Sequence, residues 1–274
     1  MVDPSYRSVA VASAFSPRFA HVLSEGKRIS ERFGSILSLI YVGEQTDETT
    51  ARFSDIFDQL KLPPDSVVHY QQGDPAAAII WAAAANNVEL VIAGALEKEA
   101  VLRPFLGDVA RRLVREAGCS VMLFTKPETD PKPLRKIVFI AEYSDHGSAA
   151  LKRTIRLAQQ EHSDRLYVIR VHTTFDAARA KRQKARAKSG KPLARSLEEE
   201  EVALEQFIDS IGPTDVPIEA RCIRGNTGYA ASDFVQSVEA DLLVVPVEPT
   251  KSARLPSHVA WVTDVIPCNL WVIR

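Results

Sequence analysis

Two glycines, Gly94 and Gly107, lie in a stretch that has the pattern of an anion-binding site. A short apolar run, Leu90 to Ala93, ends at Gly94, as a buried strand ends at a turn. Gly107 then begins an amphipathic helix that continues through Asp108 and Val109. The unpaired backbone N–H groups and the positive end of such a helix attract anions. The sequence therefore predicts a strand, a loop and a helix N-terminus arranged as a phosphate cradle.

This stretch resembles the phosphate loop of the universal stress proteins, G-x2-G-x9-G-[S/T], whose glycines approach a triphosphate and whose hydroxyl binds a phosphate oxygen. Gly94 and Gly107 stand at the matching spacing, but Glu97 replaces the middle glycine and Asp108 replaces the Ser/Thr. Each replacement adds a carboxylate where phosphate would lie, which costs about 1 kcal/mol or more in a partly desolvated cleft. The spacing supports the family's fold, and the residue identities argue against its usual ligand.

Composition indicates a globular protein with a substantial core. The chain has 274 residues, 46% of them hydrophobic and 25% charged, with a net charge of −1. No apolar run is long enough to span a membrane, and the polar stretch Met1–Arg7 does not have the pattern of a signal peptide. Three cysteines suit a reducing compartment, so the cytoplasm is expected. The near-neutral charge gives no reason to expect binding to nucleic acid or membrane.

Strands and helices are predicted to alternate, which favours a parallel sheet with helices on both faces. The strands predicted in the first half are Ser8–Ser13, Ile36–Val42, Val67–Gln71, Leu90–Gly94 and Val121–Phe124. A proline-rich linker at 127–133 follows, and the pattern then restarts. The strands predicted in the second half are Lys136–Ala141, Leu166–Val171, Ile218–Ile223, Asp241–Val245 and Leu270–Ile273.

Matched residues at similar offsets indicate a duplication. The pairs are Gly73 with Gly225 (225 − 73 = 152), Cys119 with Cys268 (268 − 119 = 149) and Ser16 with Ser144 (144 − 16 = 128). We therefore expect two doubly wound parallel-sheet domains, of the adenine nucleotide alpha hydrolase type, at 1–126 and 134–274, with a charged insert near 176–205 in the second. The resemblance covers nearly the whole chain and implies that the two halves pack about a pseudo-twofold axis.

Each half is expected to bind ligands beyond the carboxyl ends of its strands. The candidate crevice residues are Val42, Gly94, Gly107, Asp108 and Val109 in the first half, and Glu142, Ser144 and Ser257 in the second. In nucleotide-binding family members an Asp just before the Ser contacts adenine. Ala14 has that place in the first half and Glu142 in the second, where a solvated loop carboxylate is the alternative interpretation.

The second half departs further from the family's loop. Pro246 stands where Gly94 stands in the first half, and Pro256 stands in the place of Gly107. Since proline removes a backbone donor, this loop is not expected to wrap a triphosphate. Lys251, Arg254 and Ser257 could bind a smaller anion, although a shortened connection with solvated charges is the simpler interpretation.

A basic run from Arg179 to Arg195 is followed directly by the acidic run Glu198–Glu201. Basic runs bind nucleic acid or acidic partners, but this one has no aromatic residue for stacking and has acidic neighbours. A solvated arm is therefore the favoured interpretation, with the glutamates at the start of a helix.

No catalytic constellation is visible in the sequence. The histidines show no metal-ligand spacing, and Cys119 and Cys268 occupy packing positions before a terminal strand. The tryptophans, residues 81, 261 and 271, are expected in the core or at an interface. The terminal strands are expected to mediate contact between halves or between chains.

The resemblance implies a stress-response protein without enzymatic activity and with degenerate ATP-binding motifs. It would act through protein contacts, including a possible homodimer or another protein partner, or through a small ligand other than ATP. No cofactor or metal is expected. Two alternatives stay open: a sensor that binds ATP through the loop between Gly94 and Gly107, and a weak phosphohydrolase.

Overall fold

The computed structural model of the chain describes residues 5–13, 16–63, 66–95, 106–173, 195–248, 255, 259–263 and 266–274. Its first half contains strands β1 (Ser8–Ser13), β2 (Ile36–Val42), β3 (Val67–Gln71), β4 (Leu90–Gly94) and β5 (Ser120–Phe124), and helices α1 (Phe19–Phe33), α2 (Asp47–Leu60), α3 (Pro75–Ala85) and α4 (Asp108–Glu116). Its second half contains strands β6 (Lys136–Ile140), β7 (Arg165–His172), β8 (Ile218–Arg224), β9 (Leu242–Pro246) and β10 (Asn269–Ile273), helices α5 (Asp145–Gln160), α6 (Leu197–Asp209) and α7 (Thr227–Ser237), and a short 3₁₀ helix (Ala260–Thr263).

These strands form one ten-stranded sheet in the order β3-β2-β1-β4-β5-β10-β9-β6-β7-β8. Neighbouring strands within each half are parallel. Each half therefore has the doubly wound order, with its topological switch point between the first and fourth strands. The expected fold class is confirmed, and the sheet runs without a break through both halves.

The antiparallel pair β5–β10 joins the two halves. In its register Trp271 lies opposite Met122, and these two residues differ by 271 − 122 = 149 positions. The same offset relates Cys119 to Cys268, so each member of the pair is the counterpart of the other. Trp271 is fully buried there. The predicted contact between halves through the terminal strands is confirmed.

Residues of the central strands alternate between the two faces of the sheet. In β4, Leu90 and Ile92 pack into the hydrophobic cluster on one face, whereas Val91 and Ala93 pack into the cluster on the other. Because both faces are covered by helices, β4 reads in the sequence as a continuous apolar run. This burial fixes where the strand ends, and Gly94 is the first exposed residue after the run.

A buried ionic cluster makes a second connection between the halves. Glu161, directly after α5, has a fully buried side chain (0% exposed) that accepts hydrogen bonds from Arg28 Nη1 and from Arg32 Nε at 2.8 Å, both on α1. The backbone N–H of Leu134 donates to the same carboxylate at 2.7 Å. Arg28 is also paired with Glu25 at 2.8 Å. Burial of this many charges is tolerated because each has a partner.

Of the tryptophans expected in the core or at an interface, Trp81 on α3 is not in the core. It is 63% exposed, although its helix consists largely of alanine and its neighbours Ala82 and Ala83 are buried. The helix is apolar on every side, so its composition does not indicate which residue faces solvent.

Candidate functional site

The first crevice lies where β1 and β4 run side by side and the chain leaves them for helices on opposite faces. Gly94 ends β4 and is exposed, and a side chain placed there would come into ordinary contact with Val22 of α1. Val42 ends β2, on the other side of β1, and is half-buried. These residues lie at the carboxyl edge of the sheet, where open α/β sheets bind ligands.

Helix α4 begins at this edge. Gly107 is its N-cap and gives it no side-chain cap, so Asp108 and Val109 form the start of its first turn. The Gly107 N–H donates to Ala95 O at 3.0 Å, and the Ala95 N–H donates to Phe124 O at 2.9 Å. Gly107 is thus held against the end of β4. Its backbone donor is already used and is not available to a ligand.

The Asp108 side chain is 87% exposed and lies 3.6 Å from Arg111 Nη1. A carboxylate at this position interacts favourably with the helix dipole, as a bound phosphate would. The Arg111 guanidinium makes further bonds, from Nε to Thr263 O at 3.3 Å and from Nη2 to Leu106 O at 3.4 Å. Arg111 therefore ties the start of α4 to the 3₁₀ helix of the second half.

The second crevice follows β6. Ser144 is the N-cap of α5, and its Oγ accepts the Gly147 N–H at 3.0 Å. A Cβ on Gly147 would lie 1.9 Å from Glu142 O, so only glycine allows the chain to fold back this tightly. The Ser144 hydroxyl, predicted as a ligand contact, thus has a structural bond as a helix cap.

Glu142 is half-buried beside other charged groups. Burial raises the pKa of its carboxyl group, and the nearby Glu248 carboxylate raises it further, while His146 and Arg170 lower it. Glu248 follows β9, the counterpart of β4. Two carboxylates therefore share the carboxyl edge of the second half, so this crevice is not favourable for polyphosphate.

Tyr143 was not identified from the sequence, yet it organises the region beside Glu142. The guanidinium carbon of Arg170 lies 5.1 Å from the centre of the Tyr143 ring, and that of Arg195 lies 5.2 Å from it. Both arginines also face Glu200, which accepts from Arg170 Nε at 3.1 Å and lies 3.6 Å from Arg195 Nη1. The predicted position of the Glu198–Glu201 run at a helix start is confirmed, and Glu200 is buried by this pairing. The only signal in the sequence was an aromatic residue three positions after the end of β6.

The structure brings Gly94, Gly107, Asp108 and Val109 together at the first crevice, with Val42 two strands away, and places Glu142 and Ser144 at the second. Six residues that the sequence singled out lie outside the described residues: Ala14, Glu97, Lys251, Arg254, Pro256 and Ser257. So does the basic run, apart from Arg195.

The cysteine thiols and the potential metal-ligating side chains are the remaining reactive groups. Among the described residues, no group of three or more His, Cys, Asp or Glu side chains could hold a metal ion. The three cysteines are unpaired. Burial raises the pKa of the Cys119 and Cys222 thiols to about 11, and it raises that of Cys268 as well. These thiols are therefore protonated at neutral pH. Within the same residues, no helix is long and apolar enough to cross a membrane.

Comparison with known proteins places this geometry in a family. The sequence model of the Universal stress protein family matches residues 5–125 and 133–274. No curated protein matches the chain. Similar solved structures include a functionally unknown protein of Pseudomonas aeruginosa PAO1, with a TM-score of 0.72 and 18% identity over 98% of this chain and 93% of that one.

Two further structures have the same fold over nearly the full length. A putative universal stress protein of Pseudomonas aeruginosa UCBPP-PA14 has a TM-score of 0.72 and 17% identity, covering 98% of this chain and 94% of its own. A universal stress protein of Archaeoglobus fulgidus DSM 4304 has a TM-score of 0.66 and 13% identity, covering 97% and 98%. At these identities the likeness concerns the fold alone. With two family matches that together span the sheet, the chain belongs to the universal stress protein family as a tandem member.

Proposed function

We propose that this chain is a non-enzymatic universal stress protein of the cytoplasm that works without ATP. It acts through protein contacts or through a different small ligand, and its domains extend over 1–126 and 134–274. The observation that carries this proposal is the presence of carboxylates at the carboxyl edge of both halves, Asp108 in the first and Glu142 with Glu248 in the second.

The electrostatic cost supports this proposal. Each unit of phosphate charge about 4 Å from the exposed Asp108 carboxylate meets a repulsion of about 1 kcal/mol, and ATP brings several such charges. The Gly107 N–H, bonded to Ala95 O, contributes no compensating donor. Arg111 is partly neutralised by Asp108 and bonded to Thr263 O.

The second half gives independent support. Its β9 ends at Pro246, which has no N–H to offer. Placing phosphate beside Glu142 and Glu248 would add negative charge to a pair that already disfavours ionisation of Glu142. Binding of ATP there would require protonation of a carboxylate, which costs free energy at neutral pH.

The test is calorimetric titration of the full chain with ATP and Mg²⁺, preceded by mass spectrometry of anything retained through purification. We expect no nucleotide and no binding heat for the wild type, and micromolar to millimolar binding for a variant carrying Glu97→Gly and Asp108→Ser. Asp47→Ser is the matched control, since Asp47 has the same first-turn position on α2. Micromolar binding by the wild type that Gly107→Pro abolishes would overturn the proposal.

That outcome would favour the second candidate, a nucleotide sensor. One observation favours it: the N-cap of α4 is a glycine without a side-chain cap, so the first-turn N–H groups have no competing side chain on Gly107. A weak phosphohydrolase has less support, because the described residues include no metal-ligand cluster. The proposed protein partner is a second copy of the chain, which would form a homodimer, or another protein.

A further inference from the structure

A separate cleft lies at the amino-terminal edge of the sheet, opposite the two crevices, where β1, β4 and β5 begin. It has a volume of about 560 Å³. Its position is set by the ends of three elements: the residues after α3, the residues between α4 and β5, and the last residue after β10. It lies on the side away from the crevices considered above and contains none of their candidate residues.

The lining of this cleft combines two kinds of side chain. Its apolar residues include Ile80, Ala83, Val88 and Ala117. It also carries two guanidinium groups, that of Arg153 from α5 and that of Arg274, which follows β10. The cleft therefore combines a hydrophobic surface from the first half with positive charge from the second.

Among the described residues that line the cleft, the one acid is Glu89, whose carboxylate accepts the backbone N–H of Arg7. The hydrogen bond disperses part of the negative charge of the Glu89 carboxylate. The positive charge of the two arginines therefore exceeds the negative charge of this acid. The net charge of the lining side chains is positive, which suits an anion.

Two donors at this cleft have no acceptor among the described residues. Tyr6 is only 3% exposed, and its buried hydroxyl makes no hydrogen bond. Burial raises the pKa of the Tyr6 hydroxyl, whereas the neighbouring Arg153, Ser120 and Trp271 side chains lower it. Arg274 Nη1 is likewise buried and unpaired. Buried donors without acceptors are costly, so an acceptor that reaches them would stabilise this arrangement.

These donors are held in place before any ligand arrives. Arg274 Nη2 donates to Val114 O at 2.6 Å, and the Arg274 N–H donates to Ser120 Oγ at 3.0 Å. The Arg153 guanidinium carbon lies 4.4 Å from the centre of the Tyr6 ring. A preorganised guanidinium loses little conformational entropy on binding, which favours affinity.

The internal duplication shows that this arrangement does not follow from the fold alone. The offset of 128 that relates Ser16 to Ser144 takes Tyr6 to Leu134 and Arg153 back to Glu25. The offset of 149 that relates Cys119 to Cys268 takes Arg274 back to Thr125. The counterpart of the basic cleft thus has leucine, glutamate and threonine, and Leu134 there bonds to the buried Glu161.

We propose that this cleft binds a small organic anion, a carboxylate with an apolar body. The carboxylate accepts from Arg274 Nη1 and Tyr6 Oη and lies near the Arg153 charge, while the apolar body lies against Ile80, Ala83 and Val88. The ligand touches both halves, so its binding stabilises their association. The site goes beyond the proposed function, because it is separate from the crevices where ATP would bind.

The test uses octanoate as probe, with 1-octanol and octylamine as neutral and cationic matches and inorganic phosphate as an anion without an apolar body. We expect calorimetric titration of the full chain to give a Kd for octanoate of about 0.1–1 mM, and at least about tenfold weaker binding of the other three. Saturating octanoate should also raise the Tm, because it binds the folded state.

Three variants locate the site. Tyr6→Phe removes only the unpaired hydroxyl, so the fold is retained and octanoate binding weakens about fivefold. Arg153→Gln weakens it about tenfold or more. Arg135→Gln is the matched control, since this exposed arginine bonds to His162 O away from the cleft, and it leaves binding within about twofold.

Four results would overturn the proposal. They are no octanoate binding up to about 10 mM, equal binding of octanol, an equal loss in all three variants, and preferential binding of inorganic phosphate. In the last case the apolar lining would have no part in recognition.

Discussion

The substitution Glu161→Gln tests whether the ionic cluster between the halves stabilises the fold. The Glu161 carboxylate accepts from Arg28, from Arg32 and from the Leu134 N–H, and its side chain is fully buried. Glutamine keeps one acceptor oxygen but loses the charge and brings an NH₂ group towards these donors. At least one buried donor is then left unpaired.

The expected loss of stability depends on the interactions that Arg28 and Arg32 keep in the variant. Removing one partner of a buried ion pair typically costs about 3–5 kcal/mol. Arg28 keeps Glu25 at 2.8 Å, and the Arg32 side chain is 37% exposed and can be hydrated. The loss should therefore fall at the lower end, about 3 kcal/mol.

The assay is urea unfolding at pH 7 followed by tryptophan fluorescence, since Trp271 is buried where the halves join. A loss of about 3 kcal/mol with an unchanged m-value corresponds to a midpoint lowered by about 1 M. The matched control is Asp164→Asn, which removes an exposed carboxylate 3.8 Å from Arg135 and should cost about 0.5 kcal/mol. Equal losses for the two variants would refute the reasoning, because the buried cluster would then contribute no more than a surface pair.

Three further outcomes are expected. Gly147→Ala should destabilise the fold by about 2–3 kcal/mol, because the added Cβ meets the Glu142 carbonyl oxygen. Gly118→Ala is the control and should change stability by less than about 0.5 kcal/mol, because the space around Gly118 is open. Thermal unfolding compares the two variants, and equal effects would contradict the steric argument. Trp271→Asp should lower the free energy of unfolding by more than about 4 kcal/mol, and an unchanged urea midpoint would show that the joining strands do not need it. Burial raises the pKa of the Cys119 thiol to about 11, so Cys119 should react with iodoacetamide at pH 8 about 200-fold more slowly than a model thiol. Its rate should rise tenfold per pH unit, because only the thiolate reacts. Alkylation followed by mass spectrometry measures the rate, and a rate equal to that of the model thiol would contradict the assigned burial.

Local signals made most of the fold predictable. The apolar run of β2 gives the strand Ile36–Val42, and Gly34 ends α1 in the left-handed conformation expected of a C-cap glycine. Repeated offsets along the chain predict the duplication. The ionic cluster was not predictable, since Arg28 and Glu161 are 133 positions apart and each resembles an ordinary charged residue of a helix. Only the packing of α1 beside α5 brings them together.

The candidate sites were less predictable because the same residue types serve structure and function. Ser144 is a predicted crevice residue, yet its hydroxyl caps α5. Glu200 belongs to a run of glutamates that is typical of an exposed helix start, yet it is buried and accepts a hydrogen bond from Arg170. In both cases the outcome depends on a partner chosen by tertiary packing. The unpaired donors Tyr6 Oη and Arg274 Nη1 could not have been identified before the fold was known.

The antiparallel joint between β5 and β10 has a consequence for the order of events during synthesis. Strand β5 is complete when the first half has left the ribosome, but its antiparallel partner is β10, the last strand of the second half. Until then β5 is an open edge with four consecutive apolar residues, Val121–Phe124, and such edges recruit other strands. The nascent chain therefore carries an aggregation-prone edge while the whole second half is made, so chaperone protection is needed for longest at Ser120–Phe124.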